Sequence, residues 1–324
     1  MKFAIALVAV IGLAQAEFKS GSVATYDKYT YGKFVSKMKN PNKHGTVASF
    51  YTYWDGPGFY PGGWNEIDMN VVPSIKDHQP ISTNVIYGDG HNKVEDHRYV
   101  DWWHGDNKRG DKNDKRDHGD GHHEYRDGWC GDKAFDNDDW HTYAMEWTPR
   151  YISFSVDGCQ VRRLENDDHD AINFMHKAQS LRMNFWTPTF HAWGAEFTGE
   201  DMPWYLLFDY VEAYKYNHDT KDFSLDWRDD FNEFDQSRWH KLSGTFEANS
   251  SIFYPQNVYT ANGNLVIKME PEYHHHDYHG DTLHHFGDHG ISHMEQEMMG
   301  RHEALPDGPS DDKTAATSTK KEKA

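Results

Sequence analysis

The chain has 324 residues, with 33 Lys and Arg against 52 Asp and Glu, for a net charge of −19. That balance argues against a nucleic-acid partner, whose phosphates need a basic face, and fits cation binding or a surface kept soluble by repulsion. Twelve Trp, nineteen Tyr and eighteen Phe accompany a mean hydropathy of −0.93, a mix that suits a packed core plus platforms that stack on sugars.

Residues 1–16 read as an export signal: a basic start in Met1-Lys2, the apolar run FAIALVAVIGL, and the small-residue site AQA. The run is too short to span a bilayer, and no later segment is apolar enough to do so. The expectation is a secreted, extracellular chain beginning at Glu17, long enough for one large β domain or two small ones. In an oxidising compartment two cysteines, Cys130 and Cys159, suggest one disulfide.

From Tyr29 to Tyr216 short alternating segments read as strands. They are YGKFVSKMK, TVASFYTYW, NEIDMNVV, STNVIYG, HTYAMEW, YISFSVDG, QSLRMNFW and YLLFDYVEAYKY, with turns at TPR and DG. No helix-period segment of useful length occurs, so the expected class is all-β, an antiparallel sandwich or jelly roll. Residues 89–140 stand out as a long insert rich in Asp, His, Lys and Gly. Residues 217–222 read as a polar hinge. Strand character returns in 223–239 and 252–270, with a turn at Asn262-Gly263. Residues 271–324 lack periodicity and read as a disordered tail, His-rich and then charged.

The chemistry centres on GGWNEIDMNVV. Residues two apart on a strand face the same way, so Glu66, Asp68 and Asn70 share one face. A retaining glycosidase needs one carboxylate to attack the anomeric carbon and another to protonate the leaving oxygen and then activate water. Taken alone, the three residues read first as a half-buried strand with two exposed acids.

GGWNEIDMN resembles the GxxWxEIDIE signature of glycoside hydrolase family 16, the lichenase and laminarinase group. The strand pair before it, the hairpin WHTYAMEWTPRYISFSVDG, and the segments LRMNFW and FDYVEAYKY resemble the same family. The segment FSLDWRDDFNEFDQSRWHK…GNLVIKME lies at the N-terminus in most members; here it follows the closing strands, as in the circularly permuted lichenase. The resemblance covers roughly residues 17–270. It implies a concanavalin-like jelly roll with a β-glucan groove across its concave sheet. Carried over, Glu66 matches the nucleophile and Asp68 the supporting carboxylate. Tyr51, Tyr53, Trp64, Asn84, Asn184, Trp186 and Trp193 match groove positions that touch sugar.

Two departures weaken the implied activity. The acid/base glutamate falls at Asn70, or at Val71 if the strand is bulged, and no carboxylate stands between 69 and 75. An amide does not ionise and so cannot do this work. Gly244 stands where the permuted lichenase stacks a tryptophan on sugar. The leading expectation is therefore a secreted glucan-binding protein with impaired hydrolysis. Two alternatives stay open: an active endo-β-glucanase whose acid/base has moved, for instance into the insert, and a structural metal-binding matrix protein.

For metals, His122, His123, His274, His275 and His276 are the candidates. Imidazole suits Zn, Cu or Ni, and carboxylates suit calcium, but neither tract has the spacing of a tetrahedral zinc site or a calcium loop. The resemblance also implies a structural calcium site with no assignable ligands. Asn249-Ser250-Ser251 is a sequon.

Overall fold

The computed structural model describes residues 18–56, 63–73, 80–88, 93–100, 138–166, 170–189, 193, 197 and 199–272. All of them belong to the unit Met1–Tyr278, and the second unit, His279–Ala324, lies outside them. So do the export signal, most of the insert and the His-rich tail.

The described residues form two layers, antiparallel except where Ser251–Phe253 runs parallel to residues 18–20. One sheet runs in the order β6 (Val94–Val100), β5 (Ile81–Gly88), β4 (Trp64–Val71), β3 (Val47–Tyr53), β10 (Gln179–Trp186) and β1 (Phe18–Tyr29). The other runs β16 (Asn264–Pro271), β11 (Trp204–Asn217), β2 (Gly32–Lys39), β7 (Trp140–Trp147), β8 (Tyr151–Val156) and β9 (Cys159–Glu165). The first residues of β1 pair with the end of β16 and join the layers. Four shorter additions complete the edges: β12 (Asp222–Asp229) on β11, β13 (Trp239–Lys241) and β14 (Ser251–Phe253) on β1, and β15 (Val258–Ala261) on β16. This is the all-β jelly-roll sandwich expected from the sequence. A single short helix, α1 (Asp170–Phe174), occurs among the described residues.

Alternation explains the layers. In β7 every second residue is buried, with His141, Tyr143, Met145 and Trp147 inward. Ile67, Met69, Phe50, Met183 and Phe185 from the first sheet meet Phe34, Met145, Trp147, Phe154 and Phe208 from the second, all nearly inaccessible. Each such side chain contributes about 1.5–3 kcal/mol by leaving water. Turn chemistry sets the hairpins. Asp157-Gly158 and Asn262-Gly263 both hold positive φ, at 48° and 78° and at 50° and 72°, the conformation a two-residue hairpin loop of this kind requires.

All eight strands read between Tyr29 and Tyr216 are present. Three more went unread: β1, β6 and β9. The insert therefore begins later than 89–140 implied, since Val94–Val100 is a paired strand. Residues 217–222 are not a hinge. Asn217 Oδ1 accepts from the backbone N–H groups of Asp219 (2.8 Å) and Thr220 (3.1 Å), closing a hairpin that lays β12 directly on β11. The sequon is also closed off. Asn249 is 6% exposed, and its Oδ1 accepts from Ser251 N and Oγ at 2.8 and 2.7 Å, so no sugar fits there without opening the loop.

Candidate active site

The first sheet carries the site on the face turned away from the core. Cross-strand register lines up one row across it: His97, Asn84, Asp68, Tyr51, Arg182, Ala24 and His240, contributed by β6, β5, β4, β3, β10, β1 and β13. A second row, one pair further along, runs Tyr99, Ser82, Asn70, Ser49, Asn184 and Ser22. Directly opposed residues share a face, so Glu66, Asp68 and Asn70 form a column down β4 that crosses these rows.

Register also decides between Asn70 and Val71. The β3–β4 pairing runs without a shift from Tyr53–Glu66 through Tyr51–Asp68 and Ser49–Asn70. There is no bulge to turn residue 71 outward, and Val71 is fully buried in the core. The position following Asp68 on the groove face is Asn70.

Glu66 is partly exposed, and its Oε2 accepts from Trp64 Nε1 at 2.8 Å. Burial pushes the carboxyls of both Glu66 and Asp68 above the ordinary range, while the Trp64 and Asp68 hydrogen bonds pull Glu66 back. Asp68 is raised further, because Glu66 and Glu95 add like charge to its burial. The two carboxyls therefore titrate as a coupled pair, both above the ordinary carboxylate range. Burial drives the Tyr51 hydroxyl up to about 12 against the pull of Arg182, so it remains a donor; Asn184 Nδ2 in turn donates to it at 3.1 Å.

The expected sugar-contact residues divide on burial. Trp64, Tyr53 and Trp193 keep part of their surface open. Trp64 meets Tyr53 edge-on at 5.9 Å, under Lys93 at 5.0 Å. Trp186 is 7% exposed, donates to Ser49 Oγ at 3.2 Å, and is packed against Trp193 (5.9 Å) and Phe246 (5.0 Å). It supports the groove more than it stacks in it. Asn84 and Asn184 are both 5% exposed, and Asp68 Oδ1, Asn84 Oδ1 and Asn184 Oδ1 are buried acceptors without a partner in the protein. Such groups are rare in folded proteins.

Reading from sequence missed several neighbours: His97, Arg182, His240, and the exposed rings of Tyr26 and Phe246. Only the register of β6, β10 and β13 could have found the first three. At Gly244, φ is 106° and an added Cβ would meet open space, so the place where the permuted lichenase stacks a ring carries none.

A family model described as "Glycosyl hydrolases family 16" matches residues 7–205. The chain belongs to glycosyl hydrolase family 16. Among its relatives is a "Beta-glucanase" of Fibrobacter succinogenes, 30% identical over 271 residues, which cover 82% of this chain and 68% of that protein. A "Beta-glucanase" of Brevibacillus brevis is 28% identical over 199 residues, 60% of each chain. Of solved structures, the Bacillus licheniformis β-glucanase matches with a TM-score of 0.40 and 19% identity over 59% of this chain and 69% of that one.

Among the described residues no group of three or more His, Cys, Asp or Glu side chains is gathered to hold a metal. His122, His123, His274, His275 and His276 lie outside them, as does Cys130 of the expected Cys130–Cys159 bridge.

Proposed function

We propose that this family 16 member is a secreted β-glucan-binding protein whose hydrolysis is impaired. The observation that supports the reading is the unbroken β3–β4 register, which keeps Asn70 on the face of Glu66 and Asp68, where an amide cannot serve as general acid or base. On this reading Glu66 keeps the nucleophile's place, held by the hydrogen bond from Trp64 at 2.8 Å. A glucan lying along the row from His97 to His240 would meet the open faces of Trp64 and Tyr53 and donate hydroxyls to Asp68, Asn84 and Asn184. The names of the Fibrobacter and Brevibacillus relatives support β-glucan as ligand class.

The test is retention in lichenan or laminarin affinity gels together with reducing-end release by the same preparation. Retention with turnover at least ~10² below that of the Asn70→Glu variant is the expected result. Fast cleavage by the unmodified protein, or no retention on any β-glucan, would overturn it.

A further inference from the structure

The groove holds a titratable side chain that the family signature does not contain. His97 sits on β6 opposite Asn84, yet its ring leans one pair along the strand and places Nε2 2.8 Å from Ser82 Oγ. Ser82 is the cross-strand partner of Asn70, one strand spacing of about 4.8 Å away. Ser82 is fully buried and His97 partly exposed, so the imidazole covers the serine and faces the groove beside Asn70. The ring is fixed on two further sides, stacked on Trp193 at 5.7 Å and edge-on to Tyr99 at 4.6 Å. We propose that His97 acts as the general acid and base of a residual glucan hydrolysis, its imidazole standing in for the carboxylate that position 70 lacks. Ser82 is its positioning residue.

The inference rests on the glucan-binding reading of the groove. In the first step Glu66 forms a bond to the anomeric carbon as the bond to the leaving oxygen breaks, and the imidazolium gives that oxygen its proton. In the second, neutral His97 takes a proton from water as the water oxygen attacks the same carbon. Glu66 leaves as carboxylate, and His97 ends protonated as it began.

The surroundings set the pH range. Arg162 reaches β6 from β9 and pairs with Asp96 at 2.7 Å, Glu95 and Asp96 precede His97 on β6, and Glu66 and Asp68 lie across β5 on β4. Arg98, also on β6, is close to Asp96 at 3.8 Å. Burial, then Arg162, lowers the imidazole below its ordinary 6.5, against the opposing pull of Glu95 and Asp96. The working state needs His97 protonated and Glu66 ionised. Its rate therefore falls as pH rises through the lowered imidazole value, and falls again as pH drops through the raised value of the Glu66–Asp68 pair. The optimum lies on the acid side of 6.5.

The experiment uses the full chain, reading reducing-end release from lichenan between pH 4 and 8 for the native protein, His97→Gln and His97→Asn, each also in an Asn70→Glu background. Affinity-gel retention is measured alongside, as is cleavage of a 2,4-dinitrophenyl β-glucoside, whose leaving group needs no proton. The expected result is a slow native activity with an acid optimum, lost at least about tenfold in both His97 variants. Retention, the initial burst of dinitrophenyl release (which precedes the step that needs a base) and the Asn70→Glu rate should change little on the same substitutions. Loss of that burst or of the Asn70→Glu rate in step with glucan cleavage would show a merely structural role and overturn the proposal. A native protein that is retained on glucan but silent at every pH overturns the proposal and leaves the binding reading standing. One that is not retained at all removes both.

Discussion

Asn70→Glu should turn this protein into an efficient β-glucanase. The substitution restores a carboxyl four residues from Glu66 on a strand whose register is unbroken, so the two Cα atoms are about 13 Å apart. Two glutamate side chains leaning toward each other across Asp68 close that to the ~5–5.5 Å that double displacement requires. The lateral neighbours of position 70 are Ser49 and Ser82, both small, so the added methylene has room on the groove side. Burial and the nearby Glu66–Asp68 pair would push the new carboxyl upward, keeping it protonated toward neutral pH, as a general acid must be. A correctly placed acid/base contributes about 10²–10⁴ in rate, which is ~2.7–5.4 kcal/mol of barrier. Initial rates of reducing-end release from lichenan and laminarin, at matched protein and pH, read this directly. The alkaline limb of the pH–rate profile should then belong to the new carboxyl and no longer change on substitution of His97. A folded, glucan-retaining Asn70→Glu protein no faster than the native one would refute the argument, because then the amide is not what limits cleavage.

Glu66→Gln should abolish glucan cleavage in both the native and Asn70→Glu chains while leaving affinity-gel retention largely intact; surviving turnover would mean another nucleophile. Asp68→Asn should raise the melting temperature more at pH 8 than at pH 4. A carboxyl raised by folding is comfortable below its unfolded value and costs stability once pH climbs through the folded value, so removing its charge helps only on the alkaline side. Each kcal/mol recovered reads as about 2–4 °C by calorimetry. Trp64→Ala should weaken glucan retention with a small stability change, whereas Trp186→Ala should cost about 3–5 kcal/mol in denaturant unfolding, since that ring is packed between Trp193 and Phe246. Arg162→Leu should destabilise by about 3–5 kcal/mol: the guanidinium crosses from β9 to pair with Asp96 at 2.7 Å and donates to Thr83 O and Oγ1 at 3.2 and 3.0 Å.

Much of this was legible beforehand because alternation and turn chemistry are local. NEIDMNVV and HTYAMEW announce their faces, and the DG and NG turns announce their hairpins. The three strands that escaped notice lack that contrast. Residues 18–29 carry Ser, Gly and Ala on a strand buried from both sides over much of its length, so neither face looks apolar. In Cys159–Glu165, Arg162 is counted as polar although it is buried in an ion pair. Val94–Val100 is an edge strand, open on most positions, and its charges read as loop. The site divides the same way. Glu66, Asp68 and Asn70 were visible because they lie on one strand. His97 was invisible, because its place beside Asn70 depends on two pairings across forty residues or fewer of chain that composition alone does not order.

On the proposed reading, binding can outlast cleavage. The groups proposed to hold a glucan lie in rows across the sheet: each of several strands contributes one ring or one amide, and the loss of any one leaves the others. Groups that break a bond lie in a column down β4, where nucleophile, supporting acid and proton donor follow at single alternate positions. A change at residue 70 therefore removes a full catalytic role and at most one contact. The same arrangement makes β6 the natural place for a replacement, since its side chains enter the row at the level of Asp68 and Asn70 without displacing any stacking residue. Arg162, tying Asp96 of that strand to the opposite sheet, holds the edge in place so that His97 can reach its neighbour's row.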